Sequence, residues 1–553
     1  MCLLATHFVT NEAHADEPSS LSPQLQVLEK DLGNPDYLKI VGKMIPTDLA
    51  AEWRRVATPD NHHLFAKQHG GTAAVTADAA LKAGYLRRKE IADKYLALMR
   101  EAYEKKRLKP PFDDEATLLK ALESAGKQQA EGTSTTLPIR PILPCEGAEK
   151  QWPSFRGPTG QGIVLETNVP LNWSPSENVL WRQKLPGRGN SSPVVWGDRI
   201  FVTVESEPRP SDAGLSAKET APDRLLLCYS REGKLRWTHT APRPAEHEVL
   251  YWKNTLASST CVTDSERVIA FFGNAGLVCC DHEGRPLWHV DLGLFPTTHG
   301  PGTSPVLYKD LVIVIQDQNK GKSLCAAFNK RTGKRIWERE RKNSMGWSNP
   351  VLLRVGDRDE LIYNGSGEVT SYDPASGQTL WSLPGPSIES IPMIGTGDDL
   401  LFSASGRNGP VFAMQPGQPV VASPSTTNTS REAPPSVVWR HETGGPHVPS
   451  PLFHEGRLFL ISDTGIAMCL NAKSGDLLWQ KRLRGRFSTS PLLLDDRVLV
   501  TSEEGVTYIL KSAAEFEVLA ENPLEETIYA TPAILGGRIY FRAEGGLICI
   551  GAN

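Results

Sequence analysis

The stretch Ser450 to Gly485, SPLFHEGRLFLISDTGIAMCLNAKSGDLLWQKRLRG, decides the fold of this chain. It holds four short apolar runs: Leu452-Phe453, Arg457 to Ser462, Ile466 to Leu470 and Leu477 to Lys481. Turn residues separate them at Glu455-Gly456, Thr464-Gly465 and Asn471 to Gly475. Glycine stands where a tight hairpin needs a positive φ. The spacing predicts a small four-stranded antiparallel meander.

One such sheet cannot bury both of its faces, and the unit recurs. Openers, usually a small residue plus proline, fall at Ser192-Pro193, Ser259-Thr260, Ser304-Pro305, Asn349-Pro350, Ile391-Pro392, Ser450-Pro451, Ser490-Pro491 and Thr531-Pro532. From each second residue to the next, the steps are 67, 45, 45, 42, 59, 40 and 41. Trp237, Trp288, Trp337, Trp381, Trp439 and Trp479 close most units. The turn before the tryptophan repeats as Asn329 to Gly333, Asp373 to Gly377 and Asn471 to Gly475, each beginning eight residues ahead of it. A period of about 40 residues with four strands is that of a propeller blade. The last unit has only three strands. The missing one is read at Asn178 to Arg182, because Trp181 precedes Pro193 by 12 residues, as Trp479 precedes Pro491. Pairing that strand with the C-terminal blade closes the ring and removes its edge. The fold class predicted is mainly β: an eight-bladed β-propeller of four-stranded antiparallel blades, preceded by a small all-α domain.

These residues resemble the PQQ (pyrroloquinoline quinone) repeat, Asp/Asn-x-x-Ser/Thr-Gly-x-x-x-Trp. Propellers of that family include quinoprotein alcohol dehydrogenases and the non-enzymatic BamB-like proteins of outer-membrane assembly. Trp152 to Pro158, WPSFRGP, is similar to the lead-in of secreted, planctomycete-type propellers of this kind. The resemblance implies the fold and leaves function to be argued from a site.

The 553 residues carry a net charge of -4, which argues against a general nucleic-acid binder. No run approaches the length of a transmembrane helix. Ala13-His14-Ala15 resembles a signal-peptidase site after a short apolar run, with no basic segment ahead of it. Two readings fit: a signal peptide whose beginning is missing, which is adopted, or a frayed terminus. Residues 1–15 are therefore expected to be a signal-peptide remnant, 16–126 a helical domain, 127–150 a linker and 151–553 the propeller. Helical spacing from Thr76 to Lys106 supports the second of these. His62, His63 and His69 match no ligand spacing and are read as surface residues. The expected location is periplasmic or secreted, with association with the cell envelope, and the expected state is a monomer.

Two units are stretched. The first carries Glu205 to Asp223 and a long connection from Trp237 to Thr260; the fifth carries a polar insert from Pro416 to Pro435. Strand direction alternates, so both loops of the first unit share one face and the fifth unit's insert lies on the other. Both first-unit loops are expected to fold over one side of a funnel mouth, covering part of a rim of His299, Trp347, His447 and Arg486. The full rim expected on that face is Arg188, Asn190, His247, Tyr251, Trp252, His299, Trp347, Asn349, Glu389, His447, Arg486, Glu526 and Tyr529. This mix of aromatic and polar groups suits binding. Trp181 and the six blade tryptophans are assigned to structure.

Cys279 and Cys280 are adjacent, and quinoprotein alcohol dehydrogenases hold a vicinal disulfide against their cofactor. Yet both occupy ordinary third-strand positions on opposite faces of a sheet, where buried free thiols are expected. No CxxCH haem site, phosphate loop or HExxH zinc site is present. The reading adopted is a non-catalytic binding or scaffold propeller with a protein or glycan partner and no cofactor or metal. The alternative is a dehydrogenase using PQQ and Ca²⁺, which would need an oxygen-ligand cage and an Asp base. A hydrolase or lyase has no visible acid–base pair to support it.

Overall fold

The structure, a computed structural model, describes residues 137–164, 168–207, 222–246, 248–297, 299–342, 345–419, 432–433 and 435–552. The helical domain expected over 16–126 and the signal-peptide remnant lie outside the described residues, as does His247. The described residues contain no α-helix; they form eight antiparallel blades.

The sixth blade shows how the sequence builds each one. Its strands are Leu452–His454, Arg457–Ile461, Ile466–Asn471 and Leu477–Arg482, within a residue of the expected bounds. Blades one to five span 194–240, 262–290, 306–341, 351–384 and 395–441, and blade seven spans 492–523. Blade eight takes three strands from 533–551 and its fourth from Val179–Lys184, which pairs with Gly546–Gly551 in the register Trp181↔Cys549. The ring closes as the sequence predicts.

Three repeating contacts explain the repeating residues. First, the closing tryptophan reaches the next blade. Trp181 Nε1 donates to Arg231 O at 2.8 Å, Trp237 to His282 O at 2.9 Å, Trp439 to Ala472 O at 2.8 Å and Trp479 to Ala513 O at 3.1 Å. Second, its ring lies on the turn glycine of that next blade. A Cβ on Gly475, where φ is 78°, would stand 2.7 Å from the Trp439 ring. Third, the residue paired with the tryptophan within its own blade is small: Cys228 opposite Trp237, Cys279 opposite Trp288, Ala327 opposite Trp337 and Cys469 opposite Trp479. Blade seven has Ala520 in the tryptophan's place, and its partner is the large Ile509. The larger partner fills part of the space the indole would take, as close packing demands.

Trp381 departs from the pattern. The turn that would receive it is replaced by blade five's insert, so its Nε1 donates instead to Glu360 Oε2 at 2.8 Å in its own blade. Glu360 is fully buried, held also by Arg358 and Ser371.

Gly475→Ala should therefore cost more than Gly367→Ala. Both glycines have φ of 78°, but a Cβ at 367 meets nothing within 4 Å. Left-handed strain of about 1 kcal/mol is common to both; only position 475 must also displace an indole. Equal shifts in urea midpoint would overturn this account.

The openers form a belt around the axis. Five opener N–H groups donate to the opener side chain of the following blade: Ser192 to Thr260 at 2.9 Å, Thr260 to Ser304 at 2.9 Å, Ser304 to Asn349 at 2.5 Å, Ser450 to Ser490 at 3.0 Å and Ser490 to Thr531 at 2.9 Å. Serine, threonine or asparagine stands there because an oxygen is needed. Ile391 offers none, and there Met393 N donates to Ser450 instead.

Residues 139–164 fill the axis, which the sequence did not foretell. Ile139–Pro141, read as part of a linker, pairs with Val351–Val355 as a fifth strand of blade four. Trp152 bridges to Val195 of blade one, and Ile163–Val164 runs parallel to the first strand of blade seven. Between them Arg156 is fully buried and donates to Gln161 O, Pro451 O and Pro491 O. Burial without a carboxylate partner lowers its pKa to about 9.

Cys279 and Cys280 are free thiols packed on opposite faces of their strand, Cys279 between blades two and three, Cys280 between blades one and two. Burial pushes the Cys280 thiol up to about 12 and Cys279 higher. Native protein at about pH 8 should leave both unalkylated until it unfolds. A mass two hydrogens short across this pair would overturn the assignment.

Candidate functional site

A cavity of about 1090 Å³ opens on the face where fourth strands lead into the next first strands. The opener belt, including Ser192, Thr260 and Ser490, rings its throat, and Phe155 of the axial plug forms part of its lining. Asn190, Tyr251, His299, Trp347, Asn349, Glu389, His447, Arg486 and Tyr529 all line it. The structure thus brings together nine of the thirteen expected rim residues.

The others stand elsewhere. Arg188 pairs with the buried Glu205 at 3.0 Å, below the first-unit connection, because Glu205 also accepts from Leu256 N. Glu526 pairs with Arg182 of blade eight's outer strand at 3.2 Å. Trp252 borders the cavity without lining it and is 66% exposed. His247 is not among the described residues.

Residues 248–255 of the connection form a strap over one side of the mouth. Its base is fixed by an ion pair between Arg224 and Glu248, side chains 2% and 0% exposed. Glu248 also accepts from Asn274 N at 2.6 Å. Further along, Asn254 donates to His299 O at 2.6 Å and to Pro301 O at 2.9 Å. Held at both ends, the strap presents Tyr251, Trp252 and Lys253. Asn190 donates to Lys253 O at 2.8 Å, and Lys253 Nζ crosses to Glu503 of blade seven at 2.6 Å. That ammonium also lies 5.5 Å from the Trp252 ring and 5.4 Å from the Tyr529 ring. The Tyr251 ring packs at a tilt of 53° against His299 at 5.5 Å, and His299 meets Trp347 edge-on at 5.3 Å. Trp347 serves both packing and lining: its Nε1 donates to Gly300 O at 3.0 Å. The other first-unit loop, at 208–221, lies outside the described residues.

A second cluster occupies another part of the wall. Glu389 lies 3.3 Å from His447 Nε2 and 3.3 Å from Arg407 Nε. His447 N donates to Asp463 Oδ2 at 2.7 Å. Burial pulls the His447 imidazole below its usual value and pushes Asp463 above its own, so burial disfavours the charged form of each.

Lys253, Arg407, Asp463 and Glu503 were not on the expected rim. The last three sit on or beside loops joining second and third strands. Strand alternation places those loops on the same face as the expected rim, which drew mainly on the loops joining fourth strands to the next first strands.

The alternative reading would need an oxygen cage for PQQ and Ca²⁺ at this wall. Among the described residues no three His, Cys, Asp or Glu side chains cluster as metal ligands. Glu389 and Glu503 each face a cationic side chain, and the adjacent cysteines lie between blades.

With this geometry in hand, comparison with known proteins adds the repeat type. The family model described as outer membrane protein assembly factor BamB matches residues 222–390 and 430–515. The matched segments resemble PQQ-type repeats. The solved structure of BamB from Moraxella catarrhalis shares 15% identity, covering 64% of this chain and 97% of that one, with a TM-score of 0.42. Quinohemoprotein alcohol dehydrogenase from Comamonas testosteroni shares 11% over 74% of this chain and 82% of its own, with a TM-score of 0.49. The computationally designed Ika8 protein shares 11% over 67% and 99%, with a TM-score of 0.45. No curated protein matches. No residue's role is carried across at these identities. No helix among the described residues is long and apolar enough to cross a membrane.

Proposed function

We propose that this protein is a non-catalytic binding propeller of the cell envelope that engages a partner through the funnel. The observation that carries this is the strap. Its base is an ion pair with both side chains at 2% exposure or less, while Trp252 at its crest is left 66% exposed. Ordering a loop before the ligand arrives removes an entropic cost of association. Val249 and Tyr251 on the same strap are exposed as well, at 70% and 42%, and apolar side chains exposed together mark binding surfaces. The PQQ-type repeats and the BamB-like match favour an exported, envelope-associated role, and the charged groups of the funnel are matched in pairs that bind and orient.

The test uses the full chain immobilised against a cell-envelope extract, beside the double variant Trp252→Ala with Arg486→Ala. Both side chains are largely exposed, so the melting temperature should hold. Retained material should fall about tenfold, as loss of an interface anchor does. Equal retention by both forms would show that the funnel is not the binding face.

A further inference from the structure

We propose that the funnel's ligand is a neutral carbohydrate chain whose sugar rings stack along the strap-side aromatic ladder; this rests on the binding function proposed above. The ladder is Trp252, Tyr251, His299 and Trp347, with successive ring centroids 5.7, 5.5 and 5.3 Å apart. It runs from the exposed crest of the strap down into the cavity. A pyranose has an apolar face of C–H groups and an equatorial fringe of hydroxyls. It therefore needs an aromatic surface on one side and neutral donors and acceptors beside it. Both are present. Tyr251 and Tyr529 carry phenols, and Thr443 a hydroxyl, that have no hydrogen-bond partner among the described residues, and all three line the cavity.

Charge selects against ionic ligands. Lys253 is neutralised by Glu503 at 2.6 Å, and Arg407 by Glu389 at 3.3 Å. Arg486 lies 3.8 Å from Glu503. A phosphate, a nucleotide or a strongly basic peptide that engaged the strap side would have to break the Lys253–Glu503 pair, whose side chains are 21% and 10% exposed, and leave one partner largely buried. A polyol leaves them intact. Size agrees: about 1090 Å³ stands at the upper end of cavities that enclose small ligands, room for several sugar units and too confined for a folded partner.

The experiment titrates the full chain with cellohexaose, xylohexaose, mannohexaose and maltohexaose, following tryptophan fluorescence and binding heat. At least one should bind and shift the fluorescence. Its affinity should fall about tenfold in Tyr251→Ala and in Trp252→Ala, the loss expected of one aromatic contact. Leu287→Ala, on an outer strand, should bind as the parent does. Raising the salt should leave the affinity unchanged, since no ion pair forms with the ligand. If none of the four binds while envelope material is still captured in a funnel-dependent way, the partner is a protein: the carbohydrate assignment falls and the binding function stands. If neither is retained, both fall.

Discussion

A chain beginning at residue 137 is expected to fold to the same propeller, and one beginning at residue 191 is expected not to fold cooperatively. The second deletion removes three things at once. It removes Val179–Lys184, exposing Gly546–Gly551 as an unpaired strand edge. It removes Trp181, whose indole joins blade eight to blade one. It also removes the axial plug with its Trp152, and Trp173 beyond it, each 2% exposed. Losing a buried aromatic side chain costs about 3–5 kcal/mol. Two of them, with the closing strand and Trp181, match or exceed the ~5–15 kcal/mol by which a native protein is stable. A soluble product from residue 191 with a single sharp urea transition would refute ring closure by the N-terminal strand.

The blades were legible because the contacts between blades repeat. A tryptophan that must lie on a glycine, a small residue that must face it, and an oxygen that must accept from the preceding opener all recur at fixed offsets. Even the closing strand followed from the offset between Trp181 and Pro193. The plug carries no such signal: Arg156 meets Pro451 and Pro491 across the ring, and nothing in WPSFRGP announces those partners. The candidate site divides in the same way. Loop membership on one face follows from strand alternation, so Tyr251, His299, Trp347 and His447 could be placed together. Which charges meet could not, since Lys253 and Glu503 are 250 residues apart. Arg188 and Glu526 were misplaced because each has a local partner, Glu205 and Arg182, that draws it away from the mouth.

The strap's anchor gives the other large effect. In Glu248→Gln the amide keeps an oxygen for Asn274 N but turns an N–H toward the Arg224 guanidinium. Arg224 would then be a buried cation with Phe272 O, at 2.8 Å, as its remaining acceptor. Removing one partner of a buried ion pair costs about 3–5 kcal/mol. The protein has a cheaper course than bearing that whole cost in the folded ring: it can release the strap and let water reach Arg224. Residues 248–255 belong to no blade strand and are tied to the ring through side-chain contacts, so their release need not disturb the eight sheets or the belt residues Ser259 and Thr260. Glu248→Gln should therefore be cut readily by protease between residues 248 and 255 while its global urea transition shifts far less than the pair's energy implies. Loss of ligand retention should accompany the cutting, because Tyr251, Trp252 and Lys253 leave the mouth together. Arg224→Met added to Glu248→Gln removes the stranded charge and should restore part of the resistance. If Glu248→Gln resists protease as the parent does, the buried pair is not what holds the strap in place.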